Sequence, residues 1–299
     1  MNKLSLDQFE KAALFLKTTA RPLERTLFAW EFEGGSSKAV LSEVKKFQNK
    51  DGGFGHGLES DFRCEESSAL ATAVALHLLS DIGVTETEET VEKGIQYLLN
   101  TFNHEKQGWQ IVPRAVENAP RAIWWNYSED WAWGNPTAEI IGLLHHYKGL
   151  VPADFLDEIT SVALNYLNNL TMYESHELLS FLKLYKQLPA SKQAVIYHKL
   201  SDILKACVTI DSEKWDSYSL QPLQVVLTPS SDFYDLFKEI IPENVTYVIQ
   251  KQTIDGYWNP TWMWGQFEEE WKVAKQEWQG VLTLTNLKTL RAFDALETI

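Results

Sequence analysis

Cysteine is scarce. The 299 residues hold two, Cys64 and Cys207, far apart and outside any CxxC pair. A disulfide framework is thereby excluded, and a reducing compartment is the simple reading. Long apolar runs are missing too, since none approaches the roughly 18 residues that span a bilayer. The opening stretch MNKLSLDQFEKAALFL is interrupted by Asp7 and Glu10, so it lacks the apolar core of a secretion signal. The expected location is the cytoplasm. Positive charge is also in short supply: 27 Lys and Arg stand against 41 Asp and Glu, a net charge of −14. With no dense basic block, nucleic acid and anionic membranes are excluded as partners. No Pro/Gly/Ser-rich linker splits the chain, and we expect a single domain over residues 1–299.

What the sequence does hold is tryptophan, twelve of them, within an ordinary globular balance of 44% apolar and 23% charged residues. Each indole N–H needs a partner when buried. So many rings imply an aromatic core or a ring-lined cavity.

The apolar spacing is helical almost throughout. Phe9, Ala12, Ala13 and Leu16 follow the 3–4 pattern, as do Val40, Leu41, Val44 and Phe47. Further helical patterns run over 90–102, 136–147, 154–170, 176–185, 194–207, 233–240, 244–252 and 278–296. Val225-Val226-Leu227 is too short to count as a strand. The helices recur in one order. An amphipathic helix ends in a Gly- or Trp-bearing turn, and a helix rich in small and aliphatic residues follows. About five or six such hairpins, at a period of roughly 40–55 residues, predict a solenoid or a closed ring. The terminal helices are amphipathic rather than polar-faced, which favours the ring. The small-residue helices, such as that carrying Ala69, Ala71, Ala73 and Ala75, form its inner set.

Phe47-Gln48-Asn49-Lys50-Asp51-Gly52-Gly53-Phe54-Gly55 and Ile249-Gln250-Lys251-Gln252-Thr253-Ile254-Asp255-Gly256-Tyr257-Trp258 are two copies of one turn, and Gln107-Gly108-Trp109 is a degraded third. They resemble the QW-type repeats of squalene cyclases and protein prenyltransferases, and the stretch 51–79 looks like a bacterial branch of that superfamily. The resemblance implies an all-α fold, a single α/α toroid of hairpins around a central cavity. It is specific at two turns. The turn also has a local logic: Asp51 accepts from following backbone N–H groups, Gly52 and Gly53 supply positive φ, and Phe54 packs back beneath the hairpin.

The superfamily's chemistry does not carry over residue by residue. The D-x-D-D acid of class II cyclases is matched only by Glu59-Ser60-Asp61-Phe62, which loses the last Asp. The zinc set of prenyltransferases is matched only by Asp61-Phe62-Arg63-Cys64, with one residue too many between the ligands. No metal and no cofactor is called for. Two clusters remain. In the first, Glu59 and Asp61 form an acid/base pair with His56 as proton carrier. Its competing reading is helix capping by Glu65, Glu66 and Ser67 or Ser68. The second is aromatic. Trp124, Trp125, Trp131 and Trp133 precede one inner helix with Glu129 and Asp130, and Trp258, Trp262 and Trp264 precede another with Glu268, Glu269, Glu270 and Trp271. Both segments contain W-x-W-G. His176, flanked by Glu174 and Glu177, opens a third inner helix, and Trp215 lies before a fourth.

The expected ligand contacts are therefore Trp125, Asp130, Trp131, Trp133, His176, Trp215, Trp262, Trp264 and Glu269. They describe an aromatic, acid-rimmed central cavity for a small or chain-like ligand. An apolar, isoprenoid-like ligand follows from the resemblance, because π faces and carboxylates stabilise cations. A carbohydrate is the alternative, because rings stack on sugars and paired carboxylates cleave glycosidic bonds. The third reading is a non-catalytic toroid that binds a protein partner. The cations near the acidic loops are few, mainly Arg63, Arg114 and Arg121, which weighs against a diphosphate there.

Overall fold

In a computed structural model, which describes residues 1–297, the chain is all-helical, with 60% of its residues in helices. Among these residues β-structure is limited to isolated bridges, and no helix is long and apolar enough to cross a membrane. The α-helices in chain order are α1 (Leu6–Thr18), α2 (Pro22–Phe32), α3 (Ser37–Val44), α4 (Ala69–Asp81), α5 (Glu89–Asn100), α6 (Gly134–His146), α7 (Ala153–Asn169), α8 (Ser175–Gln187), α9 (Ala190–Cys207), α10 (Pro222–Val225), α11 (Tyr234–Phe237), α12 (Ile241–Gln250) and α13 (Glu268–Ala292). The chain forms two compact units. One comprises residues 1–43, 208–263 and those from 268 onward, and the other Val44–Cys207 with Trp264–Phe267.

The second unit is built on α4, α6 and α8, each packed by a more polar helix. α4 is buried nearly all round because its small residues, Ala69, Ala71, Ala73 and Ala75, let neighbours approach closely. α6 and α8 meet where Gly142 lies against α8: a Cβ there would sit 3.0 Å from the Leu184 Cα. Ile140, Ile141, Leu143 and Leu144 of α6 are fully or almost fully buried, each stabilising by about 1.5–3 kcal/mol. α7 packs on α6 and α9, and α9 on α8.

In the first unit α1 and α2 pack on α13. α1 starts with a capping box, Ser5 accepting from the Gln8 N–H while the Gln8 side chain accepts from the Ser5 N–H. The N-terminal segment pairs with the C-terminal one: the Leu4 N–H donates to the Ala295 carbonyl at 2.8 Å, and the Glu297 N–H to that of Leu4 at 2.9 Å. The Arg21 guanidinium grips the Glu24 carboxylate bidentately at 2.6 and 2.8 Å. Glu277 of α13 lies 3.6 Å from the same guanidinium.

The two copies of the Gln turn are built alike. The Gln48 Nε2 donates to the Gly52 carbonyl and to the Thr90 carbonyl of α5, both at 2.9 Å. The Gln252 Nε2 donates to the Gly256 carbonyl and to the Gln8 carbonyl of α1, again both at 2.9 Å. Gly52 and Gly256 share a φ of 92°, which a side chain resists. A Cβ at Gly52 would lie 2.5 Å from the Lys93 carbonyl oxygen, and one at Gly256 would lie 2.6 Å from the Ala12 nitrogen. Gly53, expected to supply positive φ as well, is needed for space instead: a Cβ there would stand 2.6 Å from that of Ser67. The aromatic residue that closes each turn donates its backbone N–H to a buried threonine of a small-residue helix: Phe54 to Thr72, Trp109 to Thr137 and Trp258 to Thr283. Three indoles then take up carbonyls at or just past a helix end. Trp109 donates to Leu98, Trp258 to Val248 and Trp215 to Thr209, at 2.6–2.7 Å.

Two sequence boundaries move. α13 begins at Glu268, ten residues before the expected start, because three consecutive glutamates suit the positive end of a helix. Glu268 to Trp271 are thus a helical first turn rather than a loop. The helix expected over 233–240 shrinks to α11.

Candidate functional site

The segment from His56 to Glu66 is tied down at nearly every residue. His56 has a positive φ of 54°, and its Nε2 lies 2.8 Å from the Asn49 Oδ1. A Glu59 carboxylate oxygen accepts from the Asp61 backbone N–H at 2.7 Å. Asp61 is buried. Its carbonyl accepts from the Ala122 N–H at 2.7 Å, and its Oδ1 accepts from the Trp264 indole at 2.8 Å. The Glu59 carboxylate thus bonds the Asp61 backbone, while Asp61 joins three loops. Ser68 is the N-cap of α4, accepting from the Ala71 N–H. The Cys64 thiol is pushed up to about 12, first by burial and then by its hydrogen bond to Glu66. A thiol so held is a poor nucleophile at neutral pH. No cluster of three His, Cys, Asp or Glu that would hold a metal occurs among the described residues.

The aromatic segment forms a second cluster in the same unit. Trp131 and Trp133 close over Gly108, where a Cβ would meet the Trp131 ring at 3.0 Å and the Trp133 Nε1 at 3.1 Å. Trp133 donates to the Gln107 carbonyl at 3.0 Å, and its ring lies 4.6 Å from that of Tyr166 on α7. The Tyr166 hydroxyl donates to the Glu177 Oε1 at 2.6 Å, and the Gly134 N–H donates to the same oxygen at 3.2 Å. Trp131 and Trp133 are partly exposed. Trp125 is partly exposed too, its ring edge-on to Phe62 at 6.1 Å. Asp130 is fully open to solvent, 3.8 Å from Lys106.

The cations here are occupied. Lys106 lies over the Trp131 ring and bonds the Glu129 carbonyl. Arg114 pairs with Glu129 at 2.9 Å. Arg121 donates to the carbonyls of Val116, Glu117 and Ala119 and to the Asn126 side chain.

At the start of α8 two carboxyls three residues apart are driven in opposite directions. Burial raises the Glu177 pKa, and the donors Tyr166 and Gly134 only partly offset it. Burial also opposes ionisation of Glu174, but there the His176 side chain and the N–H groups of His176 and Glu177 win and hold it at about 2. The 2.6 Å bond from Glu174 to the His176 Nδ1 raises the imidazole in turn. Deeper along α6 and α8, the buried Glu139 is paired with Lys183 at 2.5 Å. His77 of α4 is held neutral, down to about 4, by burial and by Lys183.

Several expected contacts lie elsewhere. Trp215 and Trp264 have no exposed surface. Their N–H groups are donated inside the protein, so these rings act as internal props rather than platforms for a ligand. Trp215, Trp262 and Glu269 belong to the first unit. Glu269 is exposed in the first turn of α13 and pairs with Lys272 at 2.7 Å. The Trp262 ring is edge-on to Trp278 at 5.0 Å.

Tyr166, Glu139, Lys183 and His77 were not singled out in the sequence, and Glu177 only as a neighbour of His176. Each sits within a helix whose local sequence is ordinary, so no local signal marks it. No protein-family model, curated protein or solved structure matches this chain.

Proposed function

We propose that the Trp131–Trp133–Tyr166–Glu177 cluster is a ligand site for an uncharged, hydroxyl-bearing ring compound, an oligosaccharide being the class that fits. Glu177 is its acid. The observation that carries this reading is one buried carboxyl, its pKa raised by burial, with a single oxygen held by two donors beneath a tryptophan–tyrosine ring pair. Two carboxyls with diverging proton affinities, Glu177 and Glu174, match the division into acid and ionised partner that hydrolysis of a glycosidic bond requires. The occupied cations favour a neutral ligand over a diphosphate.

We further propose that the hairpins close into an α/α toroid of the prenyltransferase/squalene-cyclase type. Its support is the equivalence of the two Gln turns. One seats its hairpin on the next outer helix, α5, while the last seats its hairpin on α1, the first. This kinship keeps a second reading in play, an isoprenoid-like apolar ligand.

Intrinsic tryptophan fluorescence separates the two. Cello-, malto-, xylo- and chito-oligosaccharides are titrated against farnesyl diphosphate, with Trp133→Ala as the control. A change with one oligosaccharide series that Trp133→Ala abolishes supports the site. A change with farnesyl diphosphate alone, also abolished by Trp133→Ala, overturns the carbohydrate reading in favour of the isoprenoid one.

A further inference from the structure

The first Gln turn borders a cleft of about 320 Å³ lined by Lys45, Gln48, Asn49, Lys50, Glu89, Thr90 and Lys93. In a chain of net charge −14, this wall carries three ammonium groups against two carboxylates, Glu88 and Glu89, that pair with two of them, and is locally positive by one charge. Lys45 pairs with Glu88 at 2.6 Å and Lys93 with Glu89 at 2.7 Å; Lys45, Lys93 and Glu89 are exposed and Glu88 is partly so. Such water-exposed pairs hold weakly, so a multiply charged anion competes for both lysines. Lys50 has no ion pair among the described residues.

The second copy of the turn shows which lysines the architecture needs. Gln48 and Gln252 bond the Thr90 and Gln8 carbonyls alike, so by residue count Lys93 and Glu89 correspond to Lys11 and Asp7, which form the same pair in α1. Lys45 and Lys50 fall on Ile249 and Ile254. The turn therefore folds without these two lysines, and their charge is surplus to its construction.

The cleft is also preformed. Gln48 clamps the turn to α5, and the Asn49 Nδ2 donates to the Glu65 carbonyl at 2.9 Å and to the Ser67 hydroxyl at 3.1 Å. A ligand does not have to order the walls on binding. α5 begins at this cleft.

We propose that this cleft binds the phosphate groups of a small phosphorylated molecule, through Lys45, Lys50 and Lys93. It uses none of the residues around Glu177, so its success or failure is separate from the reading given above. The test is calorimetry and backbone-amide NMR on the full chain in low salt, about 20 mM, where exposed charges are least screened. The probes are inorganic pyrophosphate and adenosine diphosphate. Pyrophosphate should shift the Lys50 and Thr90 amides. The Lys45→Gln/Lys50→Gln double variant should weaken binding about tenfold through the loss of charge-assisted contacts, with unchanged thermal unfolding. Lys11→Gln, at the matching place in the other turn, should leave binding intact. Tighter binding of adenosine diphosphate than of pyrophosphate means that the cavity also receives the body of the molecule, and equal binding means that the phosphates alone are read. No amide shift with either probe at about 10 mM, a concentration that detects even millimolar affinity, or undiminished binding by the double variant, overturns the proposal.

Discussion

Gly256→Ala probes the contact that joins the last Gln turn to the first helix. At a φ of 92° an alanine is strained by about 1–2 kcal/mol. Its Cβ would also start 2.6 Å from the Ala12 nitrogen and closer still to the Lys11 carbonyl carbon, so turn and helix must part by roughly 1 Å to reach ordinary contact at about 3.4 Å. That movement breaks the Gln252 bond to the Gln8 carbonyl, about 0.5–1.5 kcal/mol. It also loosens the packing of Phe15 on Tyr257, whose ring centroids lie 4.8 Å apart, for another 0.5–1.5 kcal/mol or so. The expected cost is about 2–5 kcal/mol, which lowers Tm by roughly 4–10 °C in a chain of this size. Gly83→Ala is the control. It has a φ of 76° and nothing within 4 Å of the new methyl, so it carries the backbone strain alone, about 2–4 °C. Thermal and urea unfolding of both variants, with hydrogen exchange on α1, measure the difference. If Gly256→Ala falls no further than Gly83→Ala, the turn is not seated on α1, and the case for closure goes with it.

Three further outcomes are expected. Because the Glu177 pKa is raised on folding, its protonated form favours the folded state, and that stability is lost as the pH rises through the folded value. Glu177→Gln should therefore equal or exceed the parent in stability at pH 7 and lose that advantage in acid; strong destabilisation at every pH would contradict the burial argument. For the Glu174–His176 pair, Glu174 contributes stability above its unfolded pKa that disappears as the pH falls toward about 2, while the contribution of His176 is present in acid and fades as the pH rises through its raised value. In an NMR titration Glu174→Gln should lower the His176 pKa, and an unmoved imidazole would break the link. Asp61→Asn should cost about 1–3 kcal/mol through its weakened bond to Trp264, and Thr283→Val a similar amount by orphaning the Trp258 N–H; differential scanning calorimetry showing no loss would remove the stapling role of each.

The turns were legible in the sequence because their requirements are local. A glutamine four residues before a glycine that must take positive φ, followed by an aromatic residue, is a complete set of instructions, and both copies fold alike. Even there Gly53 is needed for room against Ser67, a reason that depends on a neighbouring segment. The tryptophan loops were legible as places but not as roles. Trp133 and Trp264 stand in identical W-x-W-G contexts, yet one ring is partly exposed on Tyr166 and the other is sealed against Asp61. What separates them is the segment each loop meets, and spacing along the chain does not carry that. Glu177 stayed hidden for the same reason. Its proton affinity is raised by burial among segments distant in sequence, and Tyr166, eleven residues earlier on another helix, supplies the hydroxyl that partly offsets that rise.

The three indoles that donate to helix-end carbonyls have a consequence for the composition of the whole chain. Tryptophan is acting there as a terminator, a ring that fills the gap beneath a turn and an N–H that satisfies the last carbonyl. Phenylalanine fills the same gap at residue 54 but brings no donor. Part of the tryptophan content thus counts repeat ends rather than ligand contacts. Those indoles, buried and already bonded, form a constant spectroscopic background against which the few partly exposed rings must be read.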